Sequence, residues 1–229
     1  MLREMVIGGH FRPGERIKEI PLAAQLRVSR IPLRLALERL SHEGLLETRP
    51  TRGFVVQQFS TTDIRDAIEL RGLLEGAAAR LAAERLRDDS ELIPLRQSSD
   101  AMDALLGSGR LTLDVFTRYI ELNAMFHSAL VDLSRSRILR SAVKQVGCLP
   151  FASPSAFLLK QHSSAASKEL FRIALDHHHA IIDAISNREG MRAESLAREH
   201  ARVARRNLDA ALSDRQLLKS VRGARLIQL

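Results

Sequence analysis

The 229-residue sequence contains no tryptophan and a single cysteine, and each shortage excludes a class of protein. Because Cys148 has no second cysteine to pair with, an intrachain disulfide and a cysteine metal cluster are both excluded, and we expect a reducing, cytoplasmic location. No apolar run approaches the roughly 18 residues that a membrane span requires, and no signal peptide is evident. We therefore expect no membrane partner.

Aromatic residues make up only 4% of the sequence, whereas apolar residues as a whole reach 45%. Alanine, leucine and arginine are abundant, and these residues favour helices over sheets. The length suggests two domains of modest size. The fold class predicted from composition is therefore mainly α, with enough apolar residues to bury a core in each domain.

The net charge of +8 is concentrated at the two ends of the chain. Residues 1–58 hold 10 Lys/Arg against 6 Asp/Glu, which gives +4, and residues 214–229 hold 4 against 1, which gives +3. The 155 residues between them hold 21 against 20 and are nearly neutral. A basic N-terminal module and tail indicate a phosphate-bearing partner, whereas the neutral middle must have another task.

One stretch, residues 28–46, has the pattern of a short helix with two unlike faces. Ser29 suits the N-cap position, because its hydroxyl can accept a bond from a first-turn amide, and Pro32 falls where a missing amide hydrogen costs little. Arg30 and Arg34 lie one turn apart, away from an apolar stripe of Leu33, Ala36, Leu37 and Leu40. Outward guanidiniums on an amphipathic helix are what a recognition helix needs in a DNA major groove, although an ordinary solvated face has the same pattern.

The flanking segments favour the DNA-binding interpretation. Residues 20–26 indicate another short helix, joined to the first by a tight turn at Arg27. Residues 45–49 and 53–57 indicate two strands around a turn that carries Arg52. Helix, turn, helix and basic hairpin together predict a winged helix-turn-helix at the N-terminus.

The same residues resemble the GntR family of bacterial transcription regulators. Residues 28–34 match its V-S-R-x-P-[VL]-R signature, residues 13–14 match the start of its P-G-x-x-L segment, and residues 52–55 match its wing. The resemblance implies double-stranded operator DNA as the partner. The residues that it implies as DNA contacts are Ser29, Arg30, Pro32, Arg34, Arg52 and Gly53.

Three features depart from this family pattern. Arg27 takes a turn position usually held by glycine, so a left-handed backbone there would carry strain. Leu35 replaces the glutamate that usually follows the second signature arginine. The chain also begins late in the family's first helix, which we expect to be shortened.

Beyond the winged helix, the sequence predicts an all-α bundle of about six helices with short connections. Residues 150–165, rich in proline and serine, predict a loop, and Thr61 or Thr62 is expected to cap the first bundle helix. The predicted helices cover about 62–87, 89–108, 111–134, 137–149, 166–187 and 190–213.

The predicted organisation has four parts. A winged helix-turn-helix domain covers residues 1–58, and a linker covers 59–63. A helical effector-binding domain covers 64–213, and a basic tail covers 214–229.

Inward-facing polar side chains distinguish the predicted bundle. Asn123 and His127 lie one turn apart among apolar neighbours, and His200 is in line with the apolar residues of the last helix. His177 and His178 flank the apolar stripe of the preceding helix at similar angles. A lone buried histidine is most often a hydrogen-bonded core residue, but one shared divalent cation would satisfy several at once. Spacing alone leaves both interpretations open.

These residues resemble the motifs of the FCD domain, which follows the winged helix in FadR-type regulators. Residues 123–127 match its D-x-x-F-H motif except at the first position, and residues 178–185 match H-x-x-I-x-x-A-I. The resemblance selects His178 over His177 and implies a Zn, Ni or Mn ion. The ligands that it implies are Asn123, His127, His178 and His200.

Two positions depart from the FCD pattern. Asn123 stands where the family has aspartate, and its amide oxygen can bind an ion but brings no charge, so we expect weaker metal affinity. Ser136 stands where the family often has asparagine at a helix start, and serine can cap a helix equally well.

Arg71 lies within the predicted apolar stripe of the first bundle helix, formed by Ala67, Leu70, Leu74, Ala78 and Leu81. A buried guanidinium needs an anion. Glu75, one turn away, can supply it. The alternative, which the FCD resemblance favours, is the carboxylate of a small organic acid held between Arg71 and the metal.

The function predicted is a ligand-responsive transcription regulator, acting as a repressor. Because one reader contacts only a few base pairs, we expect a homodimer on a pseudo-palindrome. One alternative is a three-histidine metallohydrolase fused to a DNA-binding domain, but no acidic residue lies in register to act as its general base, so we expect no enzyme activity. The other alternative is an architectural DNA binder with an inert helical body.

Overall fold

The computed structural model describes residues 1–107, 112–149, 151–155, 165–214, 218, 221 and 223–228. Its N-terminal part is a winged helix-turn-helix. The helices are α1 (Leu2–Ile7), α2 (Glu19–Leu26) and α3 (Arg30–His42), and the hairpin is β1 (Leu46–Arg49) with β2 (Gly53–Val56). The prediction of a mainly α fold with a small N-terminal hairpin is confirmed.

The wing is a two-stranded antiparallel sheet in which Leu46 pairs with Val56 and Arg49 with Gly53. Gly53 has φ +66°, in the left-handed region that glycine adopts without a Cβ penalty. The buried side of the hairpin joins Leu33, Leu37 and Leu40 of α3 in one apolar core. The wing and the recognition helix therefore form a single packed unit, with the wing tip extending past it.

The turn between α2 and α3 has the left-handed backbone expected of it. Arg27 has φ 54° and ψ 42°, although it carries a side chain where glycine would be unstrained. Ser29 occupies the N-cap position of α3, but its hydroxyl makes no capping hydrogen bond. The predicted position of the helix start is correct, whereas the predicted capping contact is absent.

The remaining helices form the bundle, and all six predicted helices are present, with ends that differ by a few residues. A short 3-10 turn at Asp89–Leu92 precedes the second. Their bounds are α4 (Thr61–Arg85), α5 (Ile93–Gly107), α6 (Leu113–Leu133), α7 (Arg137–Gly147), α8 (Ala165–Ser186) and α9 (Gly190–Ser213). Much of the predicted loop at 150–165 lies outside the described residues.

Helices α4 and α9 pack closely because α4 presents glycine to its neighbour. A Cβ on Gly72 would lie 2.7 Å from the Cβ of Ala201, and one on Gly76 would lie 3.1 Å from the carbonyl oxygen of Glu194. The buried face of α4 also includes Arg71 and Glu75, whereas Leu70 is 46% exposed. The predicted apolar stripe of α4 is therefore rotated in the structure, and Leu70 does not belong to it.

The cap of α4 also differs from the prediction of Thr61 or Thr62. Ser60 is the N-cap, and its hydroxyl accepts from the amide of Asp63, whose carboxylate accepts in return from the Ser60 amide. Ser60 outcompetes the threonines because only it has an acidic residue three positions on that completes this reciprocal pair. Ser136 caps α7 as predicted, accepting from the amide of Leu139.

The end of the chain returns to the junction between the two parts. Strand β3 (Phe59–Ser60) pairs in parallel with β4 (Ile227–Gln228), and Leu226 is fully buried among residues of the winged helix. Residues 59–63, predicted as a linker, thus contain a strand and the start of α4. The described part of the predicted tail packs against the fold, and its other residues lie outside the described ranges.

Within the described ranges, no helix combines the length and the apolar character that crossing a bilayer demands.

Candidate DNA-reading face and histidine centre

The signature arginines of α3 face away from the core. Arg34 is exposed and forms a single ion pair with Glu38 one turn later, at 3.4 Å. Arg30 and the wing-tip Arg52 are also exposed, and neither has an ion-pair partner among the described residues. Exposed, weakly paired guanidiniums on both the helix and the wing are available to phosphates and base edges.

Three buried histidines from three helices converge in the bundle. The Nε2 atom of His200, on α9, lies 3.2 Å from Nε2 of His178 on α8 and 3.3 Å from Nε2 of His127 on α6. Phe126 stacks on the His178 ring at 3.9 Å between centroids and holds its orientation. The structure thus brings together three of the four predicted ligand residues through their Nε2 atoms.

A hydrogen on the imidazole rings cannot complete both Nε2 contacts of His200, to His178 and to His127. Burial lowers the pKa of His178 and of His200 well below the ordinary value, which favours the neutral form of both rings. The Nε2 atom of a neutral ring carries either one hydrogen or one lone pair. His200 Nε2 therefore forms at most one full hydrogen bond, although both neighbours lie within reach.

A divalent ion fits this arrangement. Two nitrogens that bind one tetrahedral ion at about 2.0–2.1 Å lie about 3.3 Å apart. Two of the three separations, 3.2 and 3.3 Å between Nε2 atoms, match that spacing, and ligand nitrogens of all three histidines lie within 4.8 Å of one another. Neutral imidazole is the form that binds metals, and a set of three nitrogens favours Zn or Ni over Mn.

Glu75 supports the histidine centre from α4. Its Oε2 atom lies 3.2 Å from Nδ1 of His127 and accepts a 2.8 Å hydrogen bond from Nη1 of Arg71. Burial raises the pKa of this carboxyl, but the Arg71 guanidinium and His127 outweigh burial and bring it down to about 2. A carboxylate behind a ligating histidine orients the ring and increases its basicity.

One N–H group of Arg71 has no hydrogen-bond acceptor among the described residues. Its Nη1 is bonded to Glu75, as one of the two sequence alternatives held, but its buried Nε has no acceptor among the described residues. Leaving a buried donor unsatisfied costs about 1–3 kcal/mol, which an oxygen of a bound ligand would recover. The two interpretations of Arg71 are therefore compatible.

A cavity of about 530 Å³ lies beside this centre, which we call the effector cavity. Arg71, Glu75 and His127 line its inner side. Helix α7 contributes Arg140 and Lys144 to its lining. The volume is in the range of small-molecule sites, and the lining includes the cationic side chains of Arg71, Arg140 and Lys144.

Asn123 is buried one turn before His127 on α6. Its amide nitrogen donates a 3.0 Å hydrogen bond to the Ser155 hydroxyl, which leaves Oδ1 as the atom available to an ion. It lines a second cavity of about 20 Å³ together with Arg71 and His200, about the room that one water molecule occupies. Its role as a ligand stays a prediction.

Sequence reasoning missed two parts of this site. Glu75 was considered only as the partner of Arg71, although a carboxylate beside a histidine centre is a common supporting group. The sequence did not indicate a site role for Arg140 and Lys144, because the pattern of α7 is that of an ordinary amphipathic helix.

Comparison with protein families matches both parts of the chain. Residues 1–56 match the family described as bacterial regulatory proteins, gntR family, and residues 66–203 match the FCD domain. Both resemblances noted from the sequence are confirmed.

Several proteins named as transcription regulators are similar in sequence. The Nta operon transcriptional regulator of Aminobacter aminovorans is 41% identical over 142 residues, which are 62% of this chain and 64% of that protein. The uncharacterized HTH-type transcriptional regulator YdhC of Bacillus subtilis is 34% identical over 65% of this chain and 64% of its own length. The HTH-type transcriptional repressor RspR of Escherichia coli is 29% identical over 71% of this chain and 72% of its own length.

The matched segment thus spans just under two thirds of the first two relatives. These relatives are transcription regulators and not enzymes, in agreement with the prediction for this chain. The metallohydrolase alternative has no counterpart among them.

Two solved structures share the fold. That of E. coli McbR/YncC superposes with a TM-score of 0.61 at 22% identity, covering 93% of both chains. That of Lar, described as controlling the expression of the Listeria monocytogenes agr system, gives 0.64 at 19% identity and covers 91% of this chain and 93% of the other. At such identities the likeness concerns the fold alone.

Proposed function

This chain belongs to the GntR family of bacterial regulatory proteins, in the branch that carries an FCD domain, and on that basis we propose that it is a ligand-responsive transcriptional repressor. The N-terminal winged helix binds operator DNA, and the helical domain senses a small organic acid at a metal-containing site. The protein acts in the cytoplasm as a homodimer on a pseudo-palindromic operator, because two readers give the specificity that one lacks. The names of its relatives, which include a repressor, support this role.

One observation carries the sensing half of the proposal: three buried imidazole nitrogens converge beside the effector cavity. His127, His178 and His200 would hold a Zn, Ni or Mn ion, with Asn123 Oδ1 as a fourth donor. A bound ion supplies Lewis-acid attraction for a ligand carboxylate. The Glu75 carboxylate lies 3.2 Å from Nδ1 of His127, and the spare Nε donor of Arg71 binds an oxygen of the same ligand.

Helix α7 links this cavity to the DNA reader. Arg140 and Lys144 line the cavity, while Gln145, on the same helix, donates to the carbonyl of His42 at the end of α3. The carbonyl of Cys148, just after α7, accepts a 3.1 Å hydrogen bond from Arg3 of α1. None of the α7 side chains is buried, so the helix can shift at little packing cost. A ligand that prefers one position of α7 thereby biases the placement of the reader.

Thermal-shift measurement of the purified protein tests this proposal. Zn, Ni or Mn should raise the melting temperature, and a panel of small mono-, di- and tricarboxylates should raise it further when the ion is present. Wild-type protein that neither contains a divalent ion nor gains stability from one refutes the metal site. Protein that no carboxylate stabilises instead fits an architectural DNA binder with an inert helical body.

A further inference from the structure

In the N-terminal half of α3, the side that lies farthest from the core is apolar. Ile31 is 76% exposed and Leu35 is 62% exposed, and the two lie one turn apart. With 3.6 residues per turn, the direction opposite the buried stripe of α3 passes between them. Arg30 and Arg34 lie to one side of that line. The residues that a groove meets first are therefore two aliphatic side chains.

Single exposed leucines are ordinary on protein surfaces and require no explanation. Here, however, the pair lies between exposed arginines. Arg30 and Arg34 lie on one flank, where Glu38 pairs with Arg34, and Arg39, which pairs with Glu43, lies on the other. This arrangement suits a partner that carries anionic groups at its edges and an apolar group in its middle, which is how DNA presents phosphates around the major groove.

The apolar group that a major groove offers on its base edges is the C5-methyl of thymine. A leucine or isoleucine side chain has no donor or acceptor, so it gains nothing from the edges of guanine or cytosine. Glutamate, which the family resemblance places at position 35, would accept from cytosine N4 instead. Because this chain has leucine at position 35 in place of glutamate, it lacks the preference for cytosine. It also lacks a negative charge that would face the phosphates.

We propose that Ile31 and Leu35 bind thymine methyl groups in the major groove and make thymine part of the operator half-site. This inference rests on the proposed DNA-binding function. Arg30 and Arg34 then supply contacts to guanine or phosphate beside the thymines. Leu35 determines base preference through a methyl contact.

The experiment uses the full-length protein and a duplex selected from a random-sequence library. Affinity is measured by fluorescence anisotropy on that duplex and on copies in which one thymine at a time is replaced by deoxyuridine, which pairs identically but lacks the methyl. Loss of one buried methyl group should weaken wild-type binding about fourfold at the contacted thymines. Binding with no deoxyuridine effect at any thymine of the half-site would overturn the inference.

Leu35→Ala tests which residue makes the contact. The variant should bind the selected duplex several-fold more weakly and should lose its sensitivity to deoxyuridine at one thymine, while Ile31→Ala should lose it at another. Unchanged sensitivity in both variants contradicts the inference. Leu70→Ala, at an equally apolar exposed site on α4, is the matched control and should leave every affinity unchanged.

A new base preference in a variant distinguishes a base-reading role of Leu35 from a purely structural role. Library selection repeated with Leu35→Glu should exchange thymine for cytosine at the contacted position, because the carboxylate accepts from N4. An unchanged consensus argues against base reading by residue 35. Wild-type protein that selects no sequence from the library overturns the proposed function itself, and the inference with it.

Discussion

Arg71 and Glu75 form a buried ion pair in α4, joined at 2.8 Å with both side chains about 2–3% exposed. The pair sits at the wall of the effector cavity and directly behind His127. A buried pair contributes little net stability, because desolvation offsets attraction, but removal of one partner leaves an uncompensated charge. The contact of Glu75 with His127 and the place of both residues in the cavity lining tie the pair to the site more than to the stability of the fold.

Glu75→Gln should therefore lower the free energy of unfolding by about 3–5 kcal/mol, because Arg71 loses its anion in a buried position. Replacing both residues, as Arg71→Met with Glu75→Leu, should be much less destabilising. Urea denaturation of the two variants measures the difference. Glu84→Gln is the control, since Glu84 pairs with Arg80 on the exposed side of the same helix. This substitution should lower the free energy of unfolding by less than about 1 kcal/mol.

Loss of one imidazole should impair metal binding. His178→Ala should weaken metal uptake at least about tenfold, by analogy with losses around other metal sites, because two nitrogens remain where three converged. Elemental analysis of protein purified without chelator, followed by Zn titration, measures this. The neighbouring His179→Ala provides the control, because His179 is exposed and bonded to Asp103. Equal metal content in the two variants would show that His178 is not a metal ligand.

Asn123→Asp should tighten metal binding by adding an anionic oxygen to the three nitrogens. The hydrogen bond to Ser155 can persist, since the serine hydroxyl can donate to a carboxylate. Zn titration against a competing chelator compares the variant with wild type. Asn187→Asp, at an exposed amide outside this cavity, is the control and should leave the affinity unchanged. A variant with unchanged affinity would place Asn123 outside the ligand set.

Local patterns were sufficient to predict much of this fold. Each bundle helix carries its own apolar periodicity, and Gly53 with Arg52 identifies the wing turn. Even the left-handed backbone at Arg27 follows from the family pattern of its turn. Such features depend on neighbours within a few residues, which a sequence displays directly.

The contacts that a sequence could not reveal join distant segments. The β3–β4 pair joins Phe59 to Ile227, and two-residue strands leave no alternation to detect. The rotation of α4 that exposes Leu70 follows from close packing of Gly72 on α9, which periodicity alone does not specify. Likewise, the position of Glu75 between Arg71 and His127 requires two helices to be placed together.

The DNA-reading arginines should differ in how their loss affects binding. Arg34→Ala should cost about 1–3 kcal/mol in operator affinity and relax base preference if its guanidinium reads a base. Arg52→Ala, at the wing tip, should weaken binding to all sequences and reduce the slope of log affinity against log salt by about one. Anisotropy titrations at several salt concentrations give both quantities. Wild-type affinity that is independent of ionic strength would exclude the reader assignment.

Helix α7 should carry the signal from the effector cavity to DNA. Gln145→Ala removes the hydrogen bond to the His42 carbonyl but no cavity residue. We expect the variant to keep its thermal stabilisation by Zn with a carboxylate, while the change in operator affinity that the ligand causes in wild type becomes smaller. Ile138→Ala, on the exposed side of the same helix, is the matched control and should respond like wild type.

The single cysteine offers a second readout of this coupling. Cys148 lies just after α7, and its carbonyl accepts from Arg3 of the DNA reader. A fluorophore attached to its thiol should report on ligand binding in wild type and respond differently in Gln145→Ala. If the variant binds the carboxylate and still changes its operator affinity as much as wild type does, the signal does not pass through Gln145. If the variant loses both carboxylate binding and the effect of the ligand on operator affinity, Gln145 instead belongs to the binding pocket.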